Sequence, residues 1–140
     1  MRVVLDTNIW LSAMFWNGEA RRTIELGTGK KIVIIITEEI LSEITEVLNK
    51  EEKFQKFISD RKQKIEDLIR TILSFSTLIE TKSELDLIKE HPKDNIILEA
   101  ALDGKADCIV SYDRHILNMI EFRGIKIARP GEFLIRLKQH

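Results

Sequence analysis

The sequence predicts a single α/β domain over residues 1–140, a three-layer α/β/α arrangement around a mainly parallel sheet. Three observations carry this. Short runs rich in Val and Ile alternate with helical stretches along the whole chain. One run, "KIVIII", is apolar at nearly every position, as a strand covered on both faces requires. No repeat, low-complexity tract or Pro/Gly/Ser-rich linker divides the 140 residues, a length at which one domain buries a substantial core.

In order, the chain opens with a strand at 2–6, "RVVLD", followed by helices at 7–15 and 18–26. The run at 31–36 is the second strand and leads into a helix at 37–50. A helical stretch at 51–73, broken near Ser59, precedes a third strand at 74–79. A helix at 94–103 leads to a fourth strand at 107–111, then a helix at 113–119 and a fifth strand at 125–128. "ARPGEF" places Pro130 at the start of a last helix, 130–138, where its missing N–H is no loss.

Composition narrows the function. The 22 basic and 23 acidic residues nearly cancel, so no global basic excess advertises nucleic acid, and any such function must come from a local site. The single cysteine, Cys108 in "DCIVS", excludes an internal disulfide and reads as a small core residue. The amino terminus enters a strand at once, without a signal pattern, and no apolar run reaches the ~20 residues of a membrane span. The expectation is a cytoplasmic protein with no membrane partner.

In open parallel sheets, ligands bind beyond the carboxyl ends of the strands. Asp6 stands at such an end in "VVLDTN", and Asp113 at another in "IVSYDRH". Helical geometry sorts the remaining acids. With Ile40 set at 0°, the apolar residues of "TEEILSEITEVLNK" span from about 340° to 100°, Glu43 falls near 300° at the edge of that arc, and Glu39 and Glu46 fall near 260° and 240°. Glu43 is therefore the acid of this helix best placed to face a pocket, or else a solvated carboxylate. In "HPKDNIILEAALDGKAD", Asp94 lies on the apolar side at the amino end, as a site acid or as an N-cap, whereas Glu99 and Asp103 point outward.

Asp6, Glu43, Asp94 and Asp113 in one crevice would raise one another's pKa or repel one another. A hard divalent cation removes the difficulty, since Mg²⁺ needs only a few carboxylate oxygens and retains several waters. Carboxylate-held metal activates water and stabilises charge building on a phosphate. Setting those four charges aside leaves the rest of the chain mildly basic. Arg21, Arg22, Lys30, Lys31 and Arg114 are candidates for a substrate-binding rim.

The ordered set of motifs resembles the PIN domain family. "VVLDTNIWLSAM" is similar to the family's opening strand, "ITEEILSEITEVL" to its second strand and Glu-bearing helix, and "HPKDNIILEAALDGKADCIVSYDRHIL" to its third and fourth acidic segments. "GIKIARPGEFLIRL" resembles its closing strand and helix. The resemblance implies a PIN-like fold and a catalytic, metal-binding set of Asp6, Glu43, Asp94 and Asp113. Asn8 would brace the site by hydrogen bonding, and Thr7 or Ser111 would position an acid or a water.

It further implies a Mg²⁺- or Mn²⁺-dependent ribonuclease with one or two ions, and often a VapC-type toxin held by a cognate antitoxin and forming a homodimer. The chain departs from the pattern at His91, Lys93 and His115, where acids are frequent, which puts a second metal in question. His91 or His115 is a candidate ligand or acid–base group. The leading expectation is an endoribonuclease acting on RNA phosphodiester bonds. A catalytically inactive RNA-binding or assembly module and a phosphohydrolase are the alternatives, though "DTN" lacks the D-x-D of a haloacid-dehalogenase-type phosphatase. Trp10, Phe15 and Trp16 are candidates for an apolar partner surface.

Overall fold

The computed structural model describes residues 1–61, 64–85 and 92–139. The elements run β1 (Arg2–Leu5), α1 (Thr7–Phe15), α2 (Glu19–Thr28), β2 (Val33–Thr37), α3 (Glu38–Lys50), α4 (Glu52–Asp60), α5 (Ile65–Phe75), β3 (Ser76–Ile79), α6 (Pro92–Asp103), β4 (Cys108–Val110), α7 (Arg114–Leu117), β5 (Glu121–Phe122), β6 (Ile125–Ala128) and α8 (Pro130–Lys138). The strand order is β3-β2-β1-β4-β6-β5, parallel throughout except for β5 on β6.

The central strands are apolar because both faces are covered. Val3, Val4, Leu5, Ile35, Ile36, Ile109 and Val110 are fully buried, each worth roughly 1.5–3 kcal/mol against exposure. Successive strand residues face opposite ways, and two glycines show what each face meets. A Cβ on Gly27 of α2 would run into Ile34, and one on Gly104 after α6 would run into the next residue, Ile35. Helices α2 and α6 therefore press on opposite faces of β2, close enough that only glycine fits at either contact. Cys108 is buried in β4, and burial pushes its thiol up to about 12, consistent with an inert core residue.

The sequence leaves out one element, β5. It forms a two-residue hairpin with β6 around Arg123 and Gly124, both at positive φ (49° and 86°), the pairing that a type I′ turn demands. Arginine is not a usual signal for that conformation; here its guanidinium lies over the Phe122 ring at 5.2 Å. The helix expected at 113–119 accordingly shortens to Arg114–Leu117. Helix α5 starts at Ile65 and runs on to Phe75, past the strand start expected at 74.

Parallel strands joined through helices set up the functional edge. The parallel strands β1, β2, β3, β4 and β6 all end at the same side of the sheet, and α3 and α6, which run back across it, begin there. Asp6, Thr37, Ser111 and Arg129 are the residues at or immediately beyond the carboxyl ends of β1, β2, β4 and β6.

Candidate active site

Asp6 is held by its neighbours on every side. Its backbone N–H donates to Val110 O at 3.0 Å, extending the β1–β4 ladder by one residue, and its carbonyl accepts from Ile9 N and starts α1. Its carboxylate caps the same helix, with Oδ1 accepting from Thr7 N at 2.7 Å. Oδ2 accepts from Ser111 Oγ at 2.6 Å. The side chain is only 6% exposed. Burial above all pushes the Asp6 carboxyl up to about 6; the nearby charges of Asp113 and Glu43 push the same way, and the two hydrogen bonds oppose them without prevailing.

Two hydroxyls connect Asp6 to the acids on either side. Thr7 Oγ1 donates to Glu43 Oε2 at 2.6 Å. Ser111 Oγ, while donating to Asp6, accepts from Asp113 N at 2.9 Å. Glu43, Asp6 and Asp113 thus lie along one chain of contacts from α3 through β1 to the end of β4. Of the acids on α3, Glu43 is the one turned inward, at the position helical periodicity assigns it. Glu39 is exposed, and Glu46 is exposed and paired with Lys50 and Lys93. Asp113 is half-buried and caps α7, accepting from His115 N at 2.8 Å.

Asp94 is buried in the first turn of α6. Since α6 begins at Pro92, Asp94 is inside the helix rather than at its N-cap, where the helix dipole still favours a carboxylate. Its helix packs on both β1 and α3, so it comes to the carboxyl edge from the α6 side.

Other expected residues fall elsewhere. Asn8 is exposed and its side chain makes no hydrogen bond among the described residues; Thr7 and Ser111 do the bracing. Arg21 donates to the carbonyls of Ala13 and Met14, tying α2 to the far end of α1, roughly 13 Å of helix from Asp6. Arg22 is exposed beside it. Lys30 and Lys31 lie in the turn before β2, where Val33 N bonds Met1 O, so they belong to the opposite edge of the sheet and are not rim residues. Arg114 is exposed next to Asp113.

Lys93 is turned to Glu46, 3.9 Å away. His115 is exposed and supplies its backbone N–H to Asp113; His91 lies outside the described residues. Trp10 and Phe15 are core residues, at 0% and 5% exposure, which leaves Trp16 alone of the three at the surface. Glu99 and Asp103, set aside as outward-facing, hold the segment after β3 by accepting from Leu85 N and from Lys82 N, Ser83 N and Ser83 Oγ.

The donors suit a hard divalent cation. Every group is a carboxylate or hydroxyl oxygen, and Glu43 Oε1 is buried with no hydrogen-bond partner among the described residues, a costly state that a cation would relieve. Among the described residues, however, no three His, Cys, Asp or Glu side chains converge on one point at direct-ligand spacing. Asp6, Glu43 and Asp113 are instead each turned to donors of their own. Mg²⁺ is compatible with that spread, because it takes one or two carboxylates directly and reaches others through its waters.

A parallel α/β sheet with linked acids at its carboxyl edge defines a class: an α/β domain with carboxylates gathered at its strand ends. The family model for the PIN domain matches residues 2–115, a span that holds all four acids. The chain belongs to the PIN domain family. Among solved structures it is similar to the crystal structure of VapBC2 from Rickettsia felis bound to a DNA fragment from their promoter, with a TM-score of 0.63 and 18% identity, covering 91% of this chain and 97% of that chain. At that identity the likeness is one of fold. Comparison with curated proteins gave no match.

Proposed function

We propose that this protein is a divalent metal-dependent endoribonuclease of the VapC type, the toxin of a toxin–antitoxin pair. The observation that carries the proposal is the buried Asp6 carboxylate, joined through Thr7 and Ser111 to Glu43 and Asp113. Asp6, Glu43, Asp94 and Asp113 would hold Mg²⁺ or Mn²⁺. Bound there, the cation supplies activation of water and neutralises charge building on the phosphoryl oxygens.

The chain's own part is positional. Ser111 keeps its proton on the Asp6 side and fixes Oδ2; Thr7 fixes Glu43; and the capping bond from His115 N fixes Asp113. In the reaction a water oxygen bonds to phosphorus as the P–O3′ bond breaks in line. The leaving 3′-oxygen takes up a proton, and the other product carries the 5′-phosphate. No Ser or Cys in the crevice has the partners of a nucleophile, since Ser111 Oγ is occupied by Asp6 and Asp113 N.

A cognate antitoxin and a homodimer accompany this reading; the similar Rickettsia felis structure is titled as a VapBC2 complex. A cytoplasmic location goes with it, and no helix among the described residues is long and apolar enough to cross a membrane. That no three such ligands converge among the described residues favours a second reading, an RNA-binding module that does not cut.

The test is cleavage of a mixed-sequence single-stranded RNA in Mn²⁺ or EDTA by wild type and Asp113→Asn. We expect metal-dependent cutting that falls by at least about 10²-fold in the variant, with melting unchanged. Binding of the RNA without cutting by wild type would establish the second reading instead.

A further inference from the structure

Resting on the ribonuclease reading, we infer that Arg129 is a substrate-positioning residue that holds the RNA phosphate next to the scissile one. It lies beyond the segment matched by the family model and beyond every acidic motif.

The argument is one of register. Leu5 pairs with Val110, and Val110 with Ala128. One residue further on, the ladder continues: Asp6 N bonds Val110 O, and Ser111 N bonds Ala128 O, both at 3.0 Å. Asp6, Ser111 and Arg129 therefore form a single row across three adjacent strands. Asp6 (φ −64°, ψ 155°) and Arg129 (φ −74°, ψ 159°) both keep extended backbone, so neither has yet turned out of the row. In-register residues of parallel strands leave the sheet on the same face, and on this row that face is where Ser111 Oγ meets the Asp6 carboxylate. At one strand separation per step, Arg129 is about 5 Å from Ser111 and about 10 Å from Asp6 along the backbone. That is too far to ligate with Asp6, and within an arginine's reach of a neighbouring phosphate.

Charge points the same way. Arg129 is exposed and makes no ion pair or side-chain hydrogen bond among the described residues. Of the other cations on α8 and around β5, Arg136 is committed to Glu132, Lys126 to Glu121 and Arg123 to the Phe122 ring, while Lys138 stands at the opposite end of α8 from Arg129. Glu19 crowds Gly131, two residues on, without pairing with Arg129. A guanidinium left open beside a carboxylate crevice suits an anion that arrives with the substrate, and a planar fork of N–H donors matches phosphate oxygens.

The experiment measures binding of a fluorescein-labelled mixed-sequence single-stranded RNA, in Mg²⁺ across a KCl series, by full-length Asp113→Asn and by that protein also carrying Arg129→Gln or Arg129→Lys. Wild-type cleavage of the same RNA is run alongside. With one phosphate contact removed, the glutamine variant should bind about 3- to 10-fold more weakly at low salt, and the slope of log K against log[salt] should shrink by about 0.7. Lysine should restore the slope and only part of the affinity, and melting temperatures should match. Unchanged slope and affinity in Arg129→Gln would overturn the assignment while wild-type cutting leaves the nuclease reading standing. A parent that binds no RNA, with a wild type that cuts none, would overturn both.

Discussion

Two aspartates in this molecule accept hydrogen bonds in similar number and come out oppositely. Asp103, at the end of α6, takes three, from Lys82 N, Ser83 N and Ser83 Oγ, and its carboxyl is held below the usual range by those bonds to Ser83. Asp6 takes two of the same kind, and its carboxyl is raised to about 6. The difference is the surroundings. Asp103 stands near solvent with Lys82 alongside, whereas Asp6 is buried with Asp113 and Glu43 for neighbours. Hydrogen bonds alone thus do not tell a structural acid from a functional one. An acid kept buried among like charges costs stability, and on the function proposed above that cost is offset when the cation binds.

The comparison can be broken at either end. The larger of two effects is expected at Thr7→Val, which keeps the β-branched shape in α1 and removes only the hydroxyl that holds Glu43. Cleavage should fall about 10- to 100-fold, with more Mn²⁺ needed for half-maximal rate. Rates and metal requirement equal to wild type would show that the link is dispensable. A smaller effect, on stability alone, is expected at Asp103→Ala. Releasing the 82–83 segment should lower unfolding free energy by roughly 1–2 kcal/mol in urea, with cleavage within about twofold of wild type. A large loss of cleavage there would mean that the segment after β3 belongs to the site.

Much of this was legible in the sequence, and the rest failed for identifiable reasons. Alternating Val/Ile runs and helical stretches were enough to foretell the parallel sheet, and the strand-end rule singled out Asp6 and Asp113. Periodicity separated Glu43 from Glu39 and Glu46 because a helix has only one buried face. What stayed hidden depended on pairing between distant segments. Arg129 joins the row of Asp6 only through the β4–β6 register, and Lys30 and Lys31 fall on the wrong edge because the turn they occupy is pinned to Met1. Asp6 also shows that capping a helix and belonging to the acid cluster are not alternatives, since one carboxylate does both. At β5 the obstacle was a turn made by Arg123, a residue type that rarely signals positive φ.

The most direct measurement is the melting of wild type and Asp6→Asn between pH 4 and 7.5, in EDTA and in Mg²⁺. A carboxyl raised from 3.8 to about 6 favours the folded state fully only below pH 3.8. Its contribution then falls as the pH rises, reaching a constant cost above about 6, a change on the order of 3 kcal/mol. In EDTA, wild type should therefore lose stability relative to Asp6→Asn across that window, and Mg²⁺ at pH 7.5 should return much of the loss to wild type alone. A difference between the two proteins that stays flat with pH, and no Mg²⁺ effect on wild type, would contradict a buried acid site held in place for a cation.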